Sequence, residues 1–361
     1  MDARRYWAFA RRGLRRKGAP LHLTLFVTGR CNLRCRHCFH WREVEAGVEG
    51  PDLEQIEALA ASLEAMGPML WVSLGGGEPF LRKDLPEIAR AFGARGLRHL
   101  AIPTNGLVAR QDELLERILV ENPDTFVSIA VSIDGPPEQH DAIRAVPGGH
   151  ARSLEATRRL LAMKQRFANL GVGLIVCVTA ENQDVLAGHV EELVDELGPD
   201  NVTINLARNE ALDRGLLKVD LDRYAEVVET KRRLLSEGRL PYFDFPLARL
   251  AVARDLLTYE HVERVARGDS DAYLPCTAGE LSAVVFEDGS VHPCEVLGES
   301  IGNLNDVDWD LGRLWNADAA TALRRRIRET RCACTWECAQ ADNVLFQPRA
   351  WPRLALQMVR G

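Results

Sequence analysis

From Leu21 to Leu206 the chain alternates short apolar runs with amphipathic ones, and this alternation restricts the possible folds more than any other feature of the sequence. Apolar runs of strand length lie at Leu21 to Val27, Met69 to Leu74, His99 to Pro103, Phe126 to Ile133, Val172 to Val178 and Val202 to Leu206. Helical periodicity fills the gaps, at Leu53 to Met66, Leu85 to Ala94, Gln111 to Glu121, Ser153 to Phe167 and Val185 to Leu197. Strand–helix units in series imply a parallel sheet with right-handed crossovers, and six of them predict an α/β fold, a partial (β/α)6 barrel. No internal repeat or low-complexity segment interrupts the pattern.

Barrel enzymes place their chemistry beyond the C-terminal ends of the strands. Each predicted strand here is followed by unusual residues: the cysteine loop, then Gly75-Gly76-Gly77-Glu78-Pro79, Thr104-Asn105-Gly106, Ser132-Ile133-Asp134-Gly135, Thr179 to Asn182, and Ala207-Arg208-Asn209. Any one of them is ordinary turn chemistry. Their recurrence at one structural level marks a site.

The cysteine loop reads Cys31-Asn32-Leu33-Arg34-Cys35-Arg36-His37-Cys38. Three clustered thiols cannot form a closed set of disulfides, but they suit one metal centre that keeps a fourth position open for a bound molecule. Spacing alone leaves three readings: an iron–sulfur cluster, a zinc knot with His37 and His40, or buried thiols without metal. Cys177 stands apart, between Val176 and Val178 of the fifth strand, where a small core residue or a hydrogen-atom donor would both fit. Arg208 and Glu210, after the sixth strand, are candidates for holding or deprotonating a substrate.

Beyond Leu206 two amphipathic helices are expected, at Asp220 to Leu235 and Leu247 to Arg267. A module of different character begins near Tyr273. It runs from Cys276 into an alternating hairpin, Ser282 to Phe286 and Ser290 to Pro293, around Glu287-Asp288-Gly289. Cys294, a helix over about Leu311 to Glu329, and the run Cys332-Ala333-Cys334-Thr335-Trp336-Glu337-Cys338 complete it.

At this point the chain resembles the radical S-adenosylmethionine (SAM) superfamily, through Cys31-x3-Cys35-x2-Cys38 and Gly76-Gly77-Glu78-Pro79. The resemblance implies a TIM-like partial barrel whose cysteine loop holds a [4Fe-4S] cluster, the open iron taking SAM. It further implies cofactor contacts from Phe39, Gly76, Gly77, Glu78, Pro79, Thr104, Asn105, Ser132, Asp134, Arg144 and Asn182, with Arg144 suited to a carboxylate by its two-pronged donor geometry. The C-terminal quarter resembles SPASM/twitch domains, which implies one auxiliary [4Fe-4S] cluster held by four of Cys276, Cys294, Cys332, Cys334 and Cys338. The favoured four are Cys276, Cys294, Cys334 and Cys338.

The activity so implied is reductive cleavage of SAM to a 5'-deoxyadenosyl radical, which abstracts a substrate hydrogen atom for an oxidation or a bond-forming modification. An electron donor such as flavodoxin or ferredoxin would supply the reductant. The substrate is a peptide, a small molecule or a lipid-linked molecule; a barrel starting near residue 21 leaves no room for a preceding peptide-binding segment, which lowers the peptide reading. The alternative from another class is a zinc-stabilised binding or scaffold protein without turnover.

Composition sets the remaining bounds. A formal charge of -7 lacks the basic stripe expected for nucleic-acid binding. Nine cysteines in tight clusters fit a reducing cytoplasm better than a secreted scaffold. No apolar run approaches the roughly 18 residues of a membrane span. Near the start, Arg4, Arg5, Arg11, Arg12, Arg15, Arg16 and Lys17 face only Asp2, with Tyr6, Trp7, Phe9 and Leu14 among them. Phe346 to Val359 mixes Phe346, Trp351, Leu354, Leu356, Met358 and Val359 with Arg349 and Arg353, close to Arg360, again without an acid. Such ends either pack on the barrel or adhere to an anionic membrane. The expected organisation is a basic segment 1–20, a barrel 21–219, a helical linker 220–272, a cysteine module 273–343 and a tail 344–361.

Overall fold

The computed structural model describes residues 6–16, 18–208 and 210–360, without the side chains of Val359 and Arg360. Asp2, Arg4, Arg5, Lys17 and Asn209, named above, lie outside the described residues. Six parallel strands form in the predicted places: β1 (His22–Phe26), β2 (Trp71–Gly75), β3 (His99–Thr104), β4 (Phe126–Ser132), β5 (Leu170–Val178) and β6 (Asn201–Leu206). Each pairs in parallel with the next, and helices cross over between them.

Strand periodicity divides the residues into two rows. Leu23, Leu25, Val72, Leu74, Leu100, Ile102, Val172, Leu174, Val176, Val202 and Ile204 are buried toward the helices, against Ile56, Leu59, Leu63, Ile88, Phe92 and Leu193. The other row, including Gly75, Pro103, Ser132, Ile175, Cys177 and Asn205, turns into the barrel. Both rows are covered, which is why these strands read as nearly continuous apolar runs.

Local signals place the helices. Asp52 accepts from the Gln55 N–H at 2.8 Å while Gln55 reaches back to the Asp52 N–H at 2.9 Å, a reciprocal cap that starts helix Leu53–Met66. Two predicted helices differ in extent. The one expected over Ser153 to Phe167 begins earlier, at Gly149, behind Gly148 in the left-handed region at φ +69°. The one expected over Leu311 to Glu329 is two helices, Leu311–Trp315 and Asp318–Glu329, because Ala317 adopts an extended conformation between them and the Asn316 side chain folds back onto the Gly312 carbonyl.

The predicted hairpin forms as β7 (Ser282–Val285) and β8 (Ser290–His292), followed by a short β9 (Gly302–Asn303). It is not a separate layer. Its first strand pairs in parallel with β1, so a single nine-stranded sheet runs β6-β5-β4-β3-β2-β1-β7-β8-β9. The hairpin covers the edge of β1 that an open barrel would leave bare. Below the barrel, at the N-terminal ends of the strands, helix Trp7–Arg15 packs Tyr6 and Phe9 against Leu21, Leu281 and Phe346. The Tyr6 hydroxyl lies 2.8 Å from His99 Nε2 at the start of β3.

Candidate active site

The cysteine loop after β1 has no regular structure of its own, yet every other strand end contributes a bond that pins it. Gly77 and Glu78, after β2, donate their N–H groups to the Thr28 and Arg30 carbonyls at 2.6 and 2.9 Å. The Asn105 side chain, after β3, donates to Asn32 Oδ1 at 2.8 Å. Ile143, beyond β4, accepts from the Arg36 N–H at 2.8 Å. The Arg36 guanidinium joins Glu181 after β5 at 2.6 Å and Asp213 after β6 at 2.8 Å. Six loops thus hold one another.

The glycines are required by this closeness. A Cβ on Gly76, which sits at φ +132°, would lie 2.2 Å from the Thr28 carbonyl oxygen, and one on Gly77 2.3 Å from that of Arg30. Beneath them Glu78 is wholly buried and accepts from the Phe80 N–H, the Thr104 hydroxyl and the Asn105 N–H at 3.2, 3.0 and 2.8 Å. Burial pushes its carboxyl up to about 7, against the pull of these donors.

The loops enclose a cavity of about 520 Å³ at the C-terminal end of the barrel. Cys31, Cys35 and Cys38 line it together with Phe39, Gly76, Gly77, Glu78, Pro79, Thr104, Asn105, Ser132 and Arg144. Asp134 and Asn182 do not reach it. Asp134 lies directly behind, accepting from Arg144 Nε at 2.8 Å and from the Cys177 N–H at 2.9 Å. Burial by itself would raise its carboxyl, but Arg144, with His37 and His140, holds it below the usual carboxylate range. Asn182 is one layer deeper. Its amide nitrogen donates to the Asp134 and Cys177 carbonyls, and its oxygen accepts from the Thr179 N–H and hydroxyl.

Cys31, Cys35 and Cys38 face one cavity, although among the described residues no three ligand side chains already converge on the position of a single ion. Burial pushes Cys31 up to about 11 and Cys38 up to about 12, so a cationic centre must displace their protons to bind. The Leu33 N–H points at Cys31 Sγ, 3.4 Å away, a bond that stabilises charge on sulfur. The two imidazoles that a zinc knot would recruit are turned elsewhere: His37 Nε2 is 3.6 Å from Asp134, and His40 Nε2 is 2.6 Å from Glu287 in the hairpin turn.

Several lining residues were left open, as Cys177 was, or not anticipated. Cys177 and Asn205, partners in the β5–β6 register, face inward from the barrel row. Alternation could have shown this, since Leu174, Val176 and Val178 take the helix-facing row and leave Ile175 and Cys177 inside. Trp41, the first residue of helix Trp41–Ala46 just after the cysteine loop, and Leu212 and Trp336, from loops farther along the chain, carry no such signal. Arg208 reaches the cavity as expected. It is nearly buried, pairs with Glu337, stacks over Trp336 at 4.8 Å, and keeps its Nη1 buried without a partner. Glu210 does not line the cavity; it is exposed and pairs with Arg42.

Trp336 links the two cysteine sets. It meets Phe39 edge-on at 5.4 Å, and its neighbour Glu337 accepts from the Leu206 N–H at 3.0 Å. The five C-terminal cysteines fall into two groups. Cys276, Cys332 and Cys334 are near enough to shift one another's titration, Cys334 accepts from the Gln340 amide at 3.7 Å, and Cys294 and Cys338 line one small crevice with Glu295. All nine cysteines are free thiols.

Comparison with known proteins agrees with this arrangement. Residues 25–193 match the Radical SAM superfamily and residues 276–339 match SPASM, an iron–sulfur cluster-binding domain. Among curated relatives the chain is 28% identical over 355 residues to pre-heme d1 synthase of Dinoroseobacter shibae, covering 88% of this chain and 79% of that one. It is 26% identical over 322 residues to the sporulation killing factor maturation protein SkfB of Bacillus subtilis, covering 87% and 69%. Among solved structures, Streptococcus suis SuiB superposes with a TM-score of 0.62 at 16% identity, covering 90% of this chain and 72% of that one. The enzyme anSMEcpe with bound AdoMet and a peptide gives 0.59 at 18% identity, covering 94% and 99%. These likenesses of structure show the shared fold. With three cysteines and a glycine-rich turn on one cavity and a second set of cysteines in its C-terminal quarter, the chain belongs to the radical SAM superfamily and carries a SPASM iron–sulfur domain.

Proposed function

We propose that this enzyme uses a SAM-derived radical to oxidise or crosslink a peptide held between its two cysteine sets. The observation that carries the proposal is the single cavity bounded by Cys31, Cys35, Cys38 and Gly76 on one side and by Arg208 and Trp336 on the other. A [4Fe-4S] cluster held by Cys31, Cys35 and Cys38 would supply one-electron reduction of SAM, and one held by the C-terminal cysteines would supply a second electron-transfer centre.

The chain's own residues position and shield these groups. Cys31, Cys35 and Cys38 hold the SAM-binding cluster. Gly76 and Gly77 let the backbone approach the SAM amino group, Arg144 and Ser132 meet its polar groups, Phe39, Thr104 and Asn105 complete the wall, and Asp134 and Asn182 hold Arg144 and the β4 end in place. Cys276, Cys294, Cys334 and Cys338 hold the auxiliary cluster, and Cys332, half-buried where Cys338 is exposed, is left outside the ligand set. An exogenous flavodoxin- or ferredoxin-like protein delivers the electron.

Arg208 supports a peptide as substrate. Its charge is already met by Glu337, and the cluster thiolates add negative charge nearby, so its spare Nη1 donor suits a neutral acceptor such as an amide carbonyl better than a carboxylate. Two Bacillus subtilis relatives, the sporulation killing factor maturation protein SkfB and the antilisterial bacteriocin subtilosin biosynthesis protein AlbA, favour the same reading.

The test is anaerobic reconstitution, iron and sulfide analysis, and deoxyadenosine release under reductant, followed by deuterium transfer into deoxyadenosine from labelled candidates. Transfer from a peptide encoded beside the gene is the expected result. Transfer from a tetrapyrrole carboxylate, with none from peptides, would replace this reading with one closer to the pre-heme d1 synthase relative. A colourless zinc protein without SAM cleavage would overturn the enzyme altogether.

A further inference from the structure

Two amphipathic helices present apolar side chains to solvent at the end of the barrel opposite the cavity. Helix Trp7–Arg15 turns Phe9 and Gly13 inward, while its other face exposes Trp7 at 75% and Leu14 at 53% with Arg11 and Arg15 beside them. Positions 7, 11, 14 and 15 form one stripe at helical spacing. On helix Trp351–Arg360, Leu354 and Gln357 are buried, Trp351 and Met358 are exposed on one face at i, i+7 spacing, and Leu356 and Arg353 are exposed on the opposite face, with Arg349 just before the helix.

The helices are neighbours. The Phe346 ring fills the space where a Cβ on Gly13 would stand, and Leu345 packs against both helix clusters and accepts at its carbonyl from Trp351 Nε1 at 3.1 Å. Charge sets these two segments apart from the rest of the chain. The chain as a whole carries a formal charge of -7, yet residues 6–16 hold four arginines and no acid, and residues 346–358 hold two and no acid. Arg12 is spent inward on the Pro68 and Ala19 carbonyls, Arg16 pairs with Glu280, and Arg353 pairs with Glu260. Among the described residues Arg11, Arg15 and Arg349 have no carboxylate within 4.0 Å.

We infer that this end of the molecule docks on an anionic lipid bilayer. Each stripe is short and separate, unlike the contiguous apolar patch of a stable protein interface, and each is weak alone; two together with unpaired arginines give the paired signal that peripheral adhesion needs. Tryptophan suits the headgroup level, and arginine beside it reaches the phosphates. No helix among the described residues is long and apolar enough to cross a membrane, so the contact is interfacial. The geometry also orients the enzyme. The cavity lies at the other end of the strands, about 20 Å away for a six-residue strand, so the docked enzyme takes substrate from the aqueous side. A substrate still anchored in that bilayer would have to reach round the barrel.

Cosedimentation of the full-length, cluster-loaded protein with vesicles tests this. Binding is expected with phosphatidylcholine and phosphatidylserine at roughly two to one, and is expected to weaken with salt and with phosphatidylcholine alone. Arg11→Glu with Arg15→Glu should lower partitioning by about thirtyfold or more. Trp7→Ala with Leu14→Ala, and separately Trp351→Ala with Met358→Ala, should each lower it by about tenfold or more. The side chains at 7, 11, 14 and 15 are exposed, so in those variants unfolding temperature and SAM cleavage should be unchanged; the Trp351 variant also loses its bond to the Leu345 carbonyl, so its unfolding temperature should fall slightly while SAM cleavage is unchanged. Binding that ignores phosphatidylserine, or that survives all three double variants, overturns the proposal. So does a concentration-dependent dimer that the same variants abolish, which would assign the face to a second copy of the chain.

Discussion

Arg144 and Asp134 form the most deeply buried ion pair beside the cavity, and their removal gives a sharp test of the site. Arg144 ends helix Pro137–Arg144 and donates from Nε to Asp134 Oδ2 at 2.8 Å; Asp134 is fully buried and Arg144 nearly so. Replacing Arg144 with Met keeps much of the side-chain volume but leaves the carboxylate with the Cys177 N–H and a distant His37 as partners. Breaking one side of a buried pair destabilises by about 3 to 5 kcal/mol, because the remaining charge stays desolvated. Arg144→Met should therefore lose about 4 kcal/mol in anaerobic guanidinium unfolding, and SAM cleavage should fall with it.

The pH dependence carries a sign that distinguishes this cause from a lost packing contact. In the wild type Asp134 titrates below its unfolded value of about 3.9. Its contribution is therefore complete above that value and is lost only as pH falls through the lower folded one. In the variant, burial acts without Arg144 and lifts the folded pKa above the unfolded one. Protonation then favours the folded state, and stability rises on acidification by up to about 1.4 kcal/mol per pH unit below the raised pKa. The deficit should be widest near pH 8 and narrower at pH 5. Adding Asp134→Asn should recover about half of it by removing the stranded charge. A deficit under about 1 kcal/mol, a deficit independent of pH, or no recovery in the double variant would refute the reasoning.

Other consequences follow from the same contacts. Gly77→Ala places a methyl 2.3 Å from the Arg30 carbonyl oxygen, so the cysteine loop must move; iron retention at the SAM-binding cluster should drop while the auxiliary cluster keeps about four irons. Arg208→Lys keeps a cation for Glu337 but removes the fork and its spare N–H; KM for the substrate should rise about tenfold or more while substrate-free SAM cleavage is unchanged. Cys338→Ser should remove about four irons per chain and Cys332→Ser should not, and the reverse result would move the ligand set to Cys332.

Much of the site was legible because its residues are tied to strand ends. The cysteine loop, Gly76 to Pro79, Thr104-Asn105, Ser132 and Arg144 reach one cavity because parallel strands bring all their C-terminal ends to the same edge. Cys177 was left undecided although its alternation with Val176 and Val178 places it inward. Asn182 was expected in the wall, but its amide is consumed by Asp134, Cys177 and Thr179, and no sequence pattern tells an amide that binds a ligand from one that ties loops together.

The sequence alone determined the order of the six barrel strands and of the long helices between them, the hairpin at Asp288-Gly289 and the two sets of cysteines, since periodicity and turn chemistry are properties of neighbouring residues. Tertiary structure decided what those elements share. It joined the hairpin to β1 in one sheet, turned His40 onto Glu287, and brought Trp336 and Arg208 to the same wall across 128 residues of chain, counted from 336 − 208. Contacts of that range depend on how complete elements pack, and a short window of sequence holds no trace of the partner.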